Sequence, residues 1–157
     1  MDSKGSHYFE AEGYLFQMIC DNNYLYFLQR VEKKTEKEAE ENNLSKQIKT
    51  ELEQYFNGKR KSFDIPLKTE GTVFQKKVWK ALNTIAYGST CSYQAIAEKI
   101  GNPKACRAIG GANNKNPIII IVPCHRVIGK NGNLTGYGGG LDLKQMLIDK
   151  EKAWKNL

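Results

Sequence analysis

With 157 residues, 40% hydrophobic and 26% charged, the chain is sized for one average domain or two small ones and is globular in composition rather than disordered. Its longest apolar run, Ile118-Ile119-Ile120-Ile121-Val122, is far too short to cross a bilayer. No apolar leader follows Met1-Asp2-Ser3-Lys4-Gly5, so neither a membrane protein nor a secreted one is expected. The formal charge of +7 is uneven: residues 1–71 carry 11 Lys and Arg against 13 Asp and Glu, whereas residues 72–157 carry 13 against 4. An excess of cations in the second half makes a polyanion, nucleic acid first, a candidate partner; a lysine-rich solubilising surface accounts for it equally well.

In chain order, Tyr14-Leu15-Phe16-Gln17-Met18-Ile19-Cys20 and Tyr24-Leu25-Tyr26-Phe27-Leu28 are β-prone runs separated by Asp21-Asn22-Asn23, which predicts a hairpin. Residues 31–43 are dense in charge and read as a solvated loop or a frayed helix. Ser45 is expected to cap a helix carrying Ile48, Leu52, Tyr55 and Phe56 on one face, with Gly58 after its end. Ser62-Phe63-Asp64-Ile65-Pro66 reads as a short edge strand. The first part, residues 1–68, is thus expected to be a small α+β domain, an antiparallel sheet plus a helix.

Residues 69–157 are expected to form a second, mostly helical domain, so the fold class is α+β. Thr72 caps a helix with Phe74, Val78, Ala81 and Leu82 on one face, and Ser92 caps another over residues 93–100. The turn Gly101-Asn102-Pro103-Lys104 leads to a helix over residues 105–113, which together suggest a helix-turn-helix. The last of these helices is nearly bare: Ala105, Cys106, Ala108, Gly110, Gly111 and Ala112 surround one long cation, Arg107. Two glycines in a helix interior each cost about 1 kcal/mol against Ala. Either a neighbouring helix packs closely there, or the smooth face presses into a narrow groove.

The most reactive segment is Pro123-Cys124-His125-Arg126, which the isoleucine run is expected to deliver as the end of a β-strand. An imidazole beside a thiol can take its proton and generate a nucleophilic thiolate; an inert buried Cys beside a hydrogen-bonded His is the plainer alternative. A glycine-rich loop follows from Gly129 to Gly140, matching neither a nucleotide-binding nor a dinucleotide-binding pattern but able to wrap a flat ligand. Asp142 is expected to cap a last helix whose apolar face carries Leu143, Met146, Leu147 and Trp154. Glu151, four after Leu147 and eight after Leu143, shares that face. A carboxylate there needs a partner, either His125, giving a Cys–His–Glu relay, or a surface Lys at the stripe's edge. Cys20, Cys91, Cys106 and Cys124 form no closely spaced pair and only His7 and His125 supply imidazoles, so no metal site and no disulfide framework is expected. Reduced thiols suit a cytoplasmic protein.

From Thr72-Val-Phe-Gln-Lys-Lys-Val-Trp79 to Glu151 the chain resembles the O6-alkylguanine-DNA alkyltransferases, or methylated-DNA–protein-cysteine methyltransferases. The resemblance rests on Ser92-Tyr93, Gly101-Asn-Pro-Lys-Ala-Cys-Arg107-Ala-Ile-Gly110, Asn116-Pro117, Ile120-Ile-Val-Pro-Cys-His-Arg-Val-Ile-Gly129, Gly136-Tyr-Gly-Gly-Gly-Leu141 and Lys144. It implies DNA repair: direct, irreversible transfer of an alkyl group from O6-alkylguanine, less well from O4-alkylthymine, to Cys124 in one turnover. The damaged base is flipped out through the minor groove of double-stranded DNA. The implied roles are Cys124 as acceptor, His125 as its base through a water, Glu151 orienting the imidazole, and Asn116 bridging backbone groups. Tyr93 crowds the target phosphate and helps protonate the leaving guanine, and Arg107 fills the base stack. Ala105, Ala108, Gly110, Gly111, Ala112 and Arg126 complete the DNA-binding set. Val127, Tyr137, Gly138, Gly139 and Lys144 line the substrate pocket, with Gly where relatives often carry Ser or Ala at Gly138. No cofactor, no metal and no membrane is implied, and the protein is expected to act as a monomer. A non-catalytic lesion binder, a cysteine hydrolase and a plain DNA-binding module are the rival classes. The first lacks an acceptor cysteine, the second would turn over, and the third leaves Pro123-Cys124-His125-Arg126 unexplained.

Overall fold

The computed structural model describes residues 3–134 and 136–157, which form two compact units, one ending at Thr69 and the other spanning Glu70–Leu157. The chain is α+β. Among the described residues no helix is long and apolar enough to cross a membrane.

In the first unit β1 (Gly5–Ala11), β2 (Tyr14–Cys20) and β3 (Leu25–Val31) form an antiparallel sheet in the order β1-β2-β3. The β2–β3 hairpin is the one expected. Its turn is built by Asp21, whose Oδ1 accepts from the amides of Asn23 and Tyr24 at 2.7 and 2.8 Å. Strand β1 was not expected. It joins β2 through Glu12-Gly13, both at positive φ (55° and 82°), as a two-residue hairpin turn requires. Helix α1 (Asn43–Phe56) lays Ile48, Leu52 and Phe56 on this sheet, with the Phe56 ring 6.0 Å from Phe9 and 5.8 Å from Phe16.

Two expectations are corrected in this unit, and the loop alternative for the charged stretch is the one found. The cap of α1 is Asn42, not Ser45; Ser45 is the third helical residue and returns a hydrogen bond to the Asn42 amide, completing a capping box. Residues 32–42 are a loop, but a pinned one: Ser6 Oγ donates to the Glu36 carboxylate, and the Ala39 amide donates to the Ser6 carbonyl at 2.8 Å. Ser62-Phe63-Asp64-Ile65-Pro66 is not a strand. Glu51 captures the Asp64 amide at 2.8 Å and Pro66 has no amide to give, so pairing shrinks to one parallel bridge between Leu25 and Leu67.

In the second unit α2 (Val73–Leu82) starts from a Thr72–Gln75 capping box, and α3 (Tyr93–Lys99) from Ser92, whose hydroxyl accepts from the Ala95 amide. Helix α4 (Cys106–Asn114) follows a turn containing Gly101 at φ 78° and packs against both α2 and α3. Short strands β4 (Cys91–Ser92) and β5 (Val127–Ile128) pair in parallel, and α5 (Leu141–Trp154) closes the unit.

The isoleucine run is not a strand. Although β-branched residues favour strands, Asn116 folds this segment back on itself: its Oδ1 accepts from the Ile118 amide at 3.0 Å and its Nδ2 donates to the Val122 carbonyl at 2.8 Å. Ile118, Ile119, Ile120 and Val122 are buried in the resulting coil, with Ile120 at φ 72°, a left-handed conformation that costs a β-branched residue on the order of 1–3 kcal/mol. Asp142 does not cap α5. Gly140, at φ 97°, holds the cap position and Asp142 lies in the first turn, where its charge still suits the helix dipole. The buried side of α5 is Leu143, Lys144, Leu147, Ile148 and Glu151, whereas Met146 and Trp154 are only half-buried.

Candidate functional site

Cys124 opens a single turn of 3-10 helix, Cys124–Arg126, that emerges from the isoleucine coil. The thiol is 2% exposed and His125 is 0% exposed. Packing of this turn against α5 brings the His125 Nε2 to 2.6 Å from Glu151 Oε2, both groups buried, so Glu151 is partnered by His125 rather than by a surface Lys. His125 Nδ1 has no hydrogen-bond partner among the described residues. With Nε2 committed to the carboxylate, the neutral ring presents a lone pair at Nδ1.

The electrostatics follow from burial. Removal from water pushes the Cys124 thiol up to about 11, against the opposing pull of the Asn116 amide, the Lys144 charge and the Tyr137 hydroxyl. Burial also lowers His125 below its usual 6.5; Glu151 works against that, while Arg126 and Lys144 reinforce it. Burial alone would raise Glu151, but hydrogen bonds and charges from His125 and Arg126 overcome it and hold the carboxyl far below its usual range. Lys144 is completely buried, and desolvation lowers it. Tyr137 is pushed well above 10 by burial and by Cys124. Thiol and imidazole are therefore both neutral, and a nucleophilic thiolate at Cys124 would first require loss of its proton.

Asn116 joins the two sides of the coil preceding Cys124, as described above. Val127 is buried in β5 just after the reactive turn. Gly139 is buried too: a Cβ there would lie 2.9 Å from the Tyr137 ring and 3.0 Å from Leu143, so a larger residue would have to displace these side chains. Gly138 is exposed, and a Cβ on it would sit 3.4 Å from the Asn114 carbonyl. Tyr93 is half-buried at the start of α3, facing the glycines of α4; a Cβ on Gly110 would lie 3.9 Å from its ring. Tyr93, Ser92, Gln94, Cys106 and Lys130 line a hollow of about 390 Å³. Arg107, Ala108 and Gly111 are exposed on α4.

The structure departs from the expected DNA-facing set at three residues. Ala105 and Ala112 are buried, on the side of α4 turned toward the unit's interior, and the Ala112 carbonyl accepts from the Trp79 indole at 2.9 Å. Arg126 is buried as well. Its Nε and Nη2 donate to the two Glu151 oxygens at 2.8 and 3.1 Å, and its Nη1 donates to the Ile85 carbonyl at 2.8 Å. A guanidinium so occupied belongs to the site's interior, not to a phosphate-binding surface.

Sequence reasoning missed two contributors. Asn113 Nδ2 donates to the Cys124 carbonyl at 3.2 Å, tying the end of α4 to the reactive turn. The Gly88 amide lies 3.4 Å from Glu151 Oε1. Asn113 had a faint signal, an amide three residues before Asn116 on the inward side of a helix; Gly88 had none. Among the described residues, no group of three or more His, Cys, Asp or Glu is placed to hold a metal ion.

Comparison with known proteins bears on this geometry. Residues 73–153 match the family described as 6-O-methylguanine DNA methyltransferase, DNA binding domain, and residues 16–69 match its ribonuclease-like domain. A methylated-DNA–protein-cysteine methyltransferase of Methanosarcina acetivorans is 63% identical over 101 residues, 64% of this chain and 65% of that protein. Its counterpart in Methanosarcina mazei is 55% identical over 114 residues, 73% of this chain and 72% of that one. The matched stretch therefore spans just under two thirds of the first relative and just over two thirds of the second. The crystal structure of Mycobacterium tuberculosis OGT in complex with DNA superposes with a TM-score of 0.83 at 44% identity, covering 94% of each chain. With a matching family description over more than half its length, the chain belongs to the 6-O-methylguanine DNA methyltransferase family.

Proposed function

We propose that the protein repairs double-stranded DNA by transferring the alkyl group of O6-alkylguanine, and less readily of O4-alkylthymine, to its own Cys124, once per molecule. The observation that carries this reading is the buried Cys124 thiol next to an imidazole whose Nε2 is held 2.6 Å from Glu151, leaving Nδ1 to receive a proton. His125 takes the thiol proton through a water while Glu151 steadies the imidazole. The thiolate sulfur bonds to the alkyl carbon, and the bond from that carbon to O6 breaks with its electron pair staying on the base. Tyr93 helps deliver to the guanine the proton that balances the one lost by the thiol. A thioether does not hydrolyse readily, so the reaction stops at one equivalent and needs no cofactor.

O6 of a stacked guanine is out of reach of a buried sulfur, so the base must be flipped out of the duplex. The exposed side of α4, with Arg107 among Ala108 and Gly111, suits entry into the minor groove, and Arg107 fills the gap in the stack. α3 and α4 act as the helix-turn-helix. The surplus of 13 cations over 4 anions in residues 72–157 supplies affinity for phosphates that is independent of sequence. Val127, Tyr137, Gly138 and Gly139 contact the flipped base, with Lys144 beneath them. In this reading residues 1–68 are an N-terminal domain, residues 69–157 the catalytic domain, and the protein works as a monomer in the cytoplasm.

The test is to mix the protein with duplex DNA containing one O6-methylguanine and weigh the intact and digested protein. One methyl gained on the Cys124 peptide, ending at one equivalent, is the expected result. Tight binding with no mass gain would remove the Cys–His–Glu roles, and sustained turnover would point to a hydrolase.

A further inference from the structure

Arg126 is the one long cation expected on a DNA-facing surface that the fold instead turns inward, and it lands on the carboxylate that holds His125. The arrangement around Glu151 is crowded with donors. Oε2 is shared by His125 Nε2 at 2.6 Å and Arg126 Nη2 at 3.1 Å, while Oε1 takes Arg126 Nε at 2.8 Å and faces the Gly88 amide at 3.4 Å. The far side of the guanidinium is anchored by the Ile85 carbonyl at 2.8 Å. A carboxylate paired with a histidine alone would pull a proton onto the imidazole and so destroy the acceptor that proton transfer requires. Here a permanently charged fork competes for both oxygens.

We propose that Arg126 is a positioning residue of the transfer site, whose grip on both oxygens of Glu151 keeps His125 neutral and therefore able to accept the Cys124 proton. This deepens the alkyl-transfer reading and rests on it for its purpose, though not for its measurement. The charged groups acting on His125 are Glu151 and Lys144 from α5 and Arg126 from its own turn. Tyr87, from the segment after α2, has its ring centre 5.7 Å from the Arg126 guanidinium, and Tyr137, from the glycine-rich loop, interacts with Cys124. Two cations thus oppose one anion around the ring, and burial acts in the same direction as the cations. The same fork holds the carboxylate against Nε2, and with that nitrogen occupied the neutral ring keeps Nδ1, which has no hydrogen-bond partner among the described residues, as its acceptor.

The test is an NMR titration of the two imidazoles in the full chain, with His125 assigned by comparison with H7N, and it needs no DNA. In the unsubstituted protein His125 is expected to titrate below 6.5. In R126M the midpoint is expected to rise by more than about half a pH unit, because Glu151 then acts on the imidazole unopposed. R126K keeps the charge and is expected to shift by less than R126M. In single-turnover transfer, the acid limb of the pH–rate profile is expected to move with the titration in each variant. A purely structural role would lower the rate at every pH without moving either midpoint. R126Q, which can still donate to the Ile85 carbonyl, is the second variant should R126M fail to fold. A midpoint at or above 6.5 in the unsubstituted protein, or a shift below about half a unit in a folded neutral variant, overturns the proposal. Failure to methylate Cys124 would overturn the transfer reading and leave this titration standing.

Discussion

The two units bury very different things. The first is closed by Phe16, Met18, Leu28, Ile48, Leu52 and Tyr55, and its ion pairs reach toward solvent: Lys49 meets Glu41 at 2.9 Å and Glu38 at 3.4 Å, and buried Glu51 meets partly exposed Arg60 at 3.3 Å. The second takes a thiol, an imidazole, a guanidinium, an ammonium and a carboxylate inside together, at Cys124, His125, Arg126, Lys144 and Glu151. Apolar burial stabilises by about 25 cal/mol per Å². A buried ion pair often does no better than an apolar pair of the same volume. The first interior is thus arranged for stability. The second accepts the desolvation of polar groups and offsets it by pairing them with one another.

That contrast can be broken most sharply at Cys124. Cys124→Ser is expected to abolish the mass gain with lesion DNA while the melting temperature stays nearly unchanged; residual methylation of the Cys124 peptide position in that variant would break the assignment. Next in size is Glu151→Ala, which leaves Arg126 buried without its anion and is expected to cost about 3–5 kcal/mol in denaturant unfolding. The paired replacement Arg126→Met with Glu151→Leu should recover most of that loss and still transfer nothing. If the double variant is instead as unstable as the single one, the cluster is structural. In the first unit Arg60→Ala should cost less than Glu151→Ala, because Arg60 is partly exposed and Glu51 keeps the Gln47 side chain and the Asp64 amide as partners.

Acid should distinguish the units as well. His125 is depressed below 6.5, so the unfolded chain takes a proton there that the folded one refuses, and stability is lost as pH falls below 6.5. Glu151 is depressed below 4.5, so its contribution is present above that value and fades as pH falls further. His7 in the first unit is also lowered by burial, so the H7N background isolates the second unit's loss in thermal melts between pH 7 and 4. The smallest effect concerns adduct size. Gly138→Ser places a side chain against the Asn114 carbonyl and is expected to slow benzyl transfer more than methyl transfer by a few-fold; an unchanged ratio of the two rates would sink the idea.

What the sequence revealed divides along the same line as locality. Caps at Thr72 and Ser92 were readable because a hydroxyl and an amide three residues on suffice to make them. The Cys124–His125 adjacency was readable outright, and Glu151 followed from lying four residues after Leu147 and eight after Leu143. Strand β1 was hidden because its inward residues include Ser6 and His7, polar groups that break the apolar alternation. The isoleucine run misled because two bonds from the Asn116 side chain outweigh five β-branched residues' preference. The inward turn of Arg126 had no local signature at all, since its partners lie 25 and 41 residues away.

The protonated, enclosed state of Cys124 has a consequence for the protein's lifetime as a reagent. Oxidants and small electrophiles attack thiolates that they can reach. A sulfur that is 2% exposed and held up to about 11 offers them neither charge nor access. Under the one-transfer reading proposed above, a molecule that reacts once has to persist intact until it meets a lesion, and the raised, enclosed thiol suits such storage. In peroxide, Cys124 is expected to oxidise more slowly than the more exposed Cys106, as mass spectrometry of the two peptides would read.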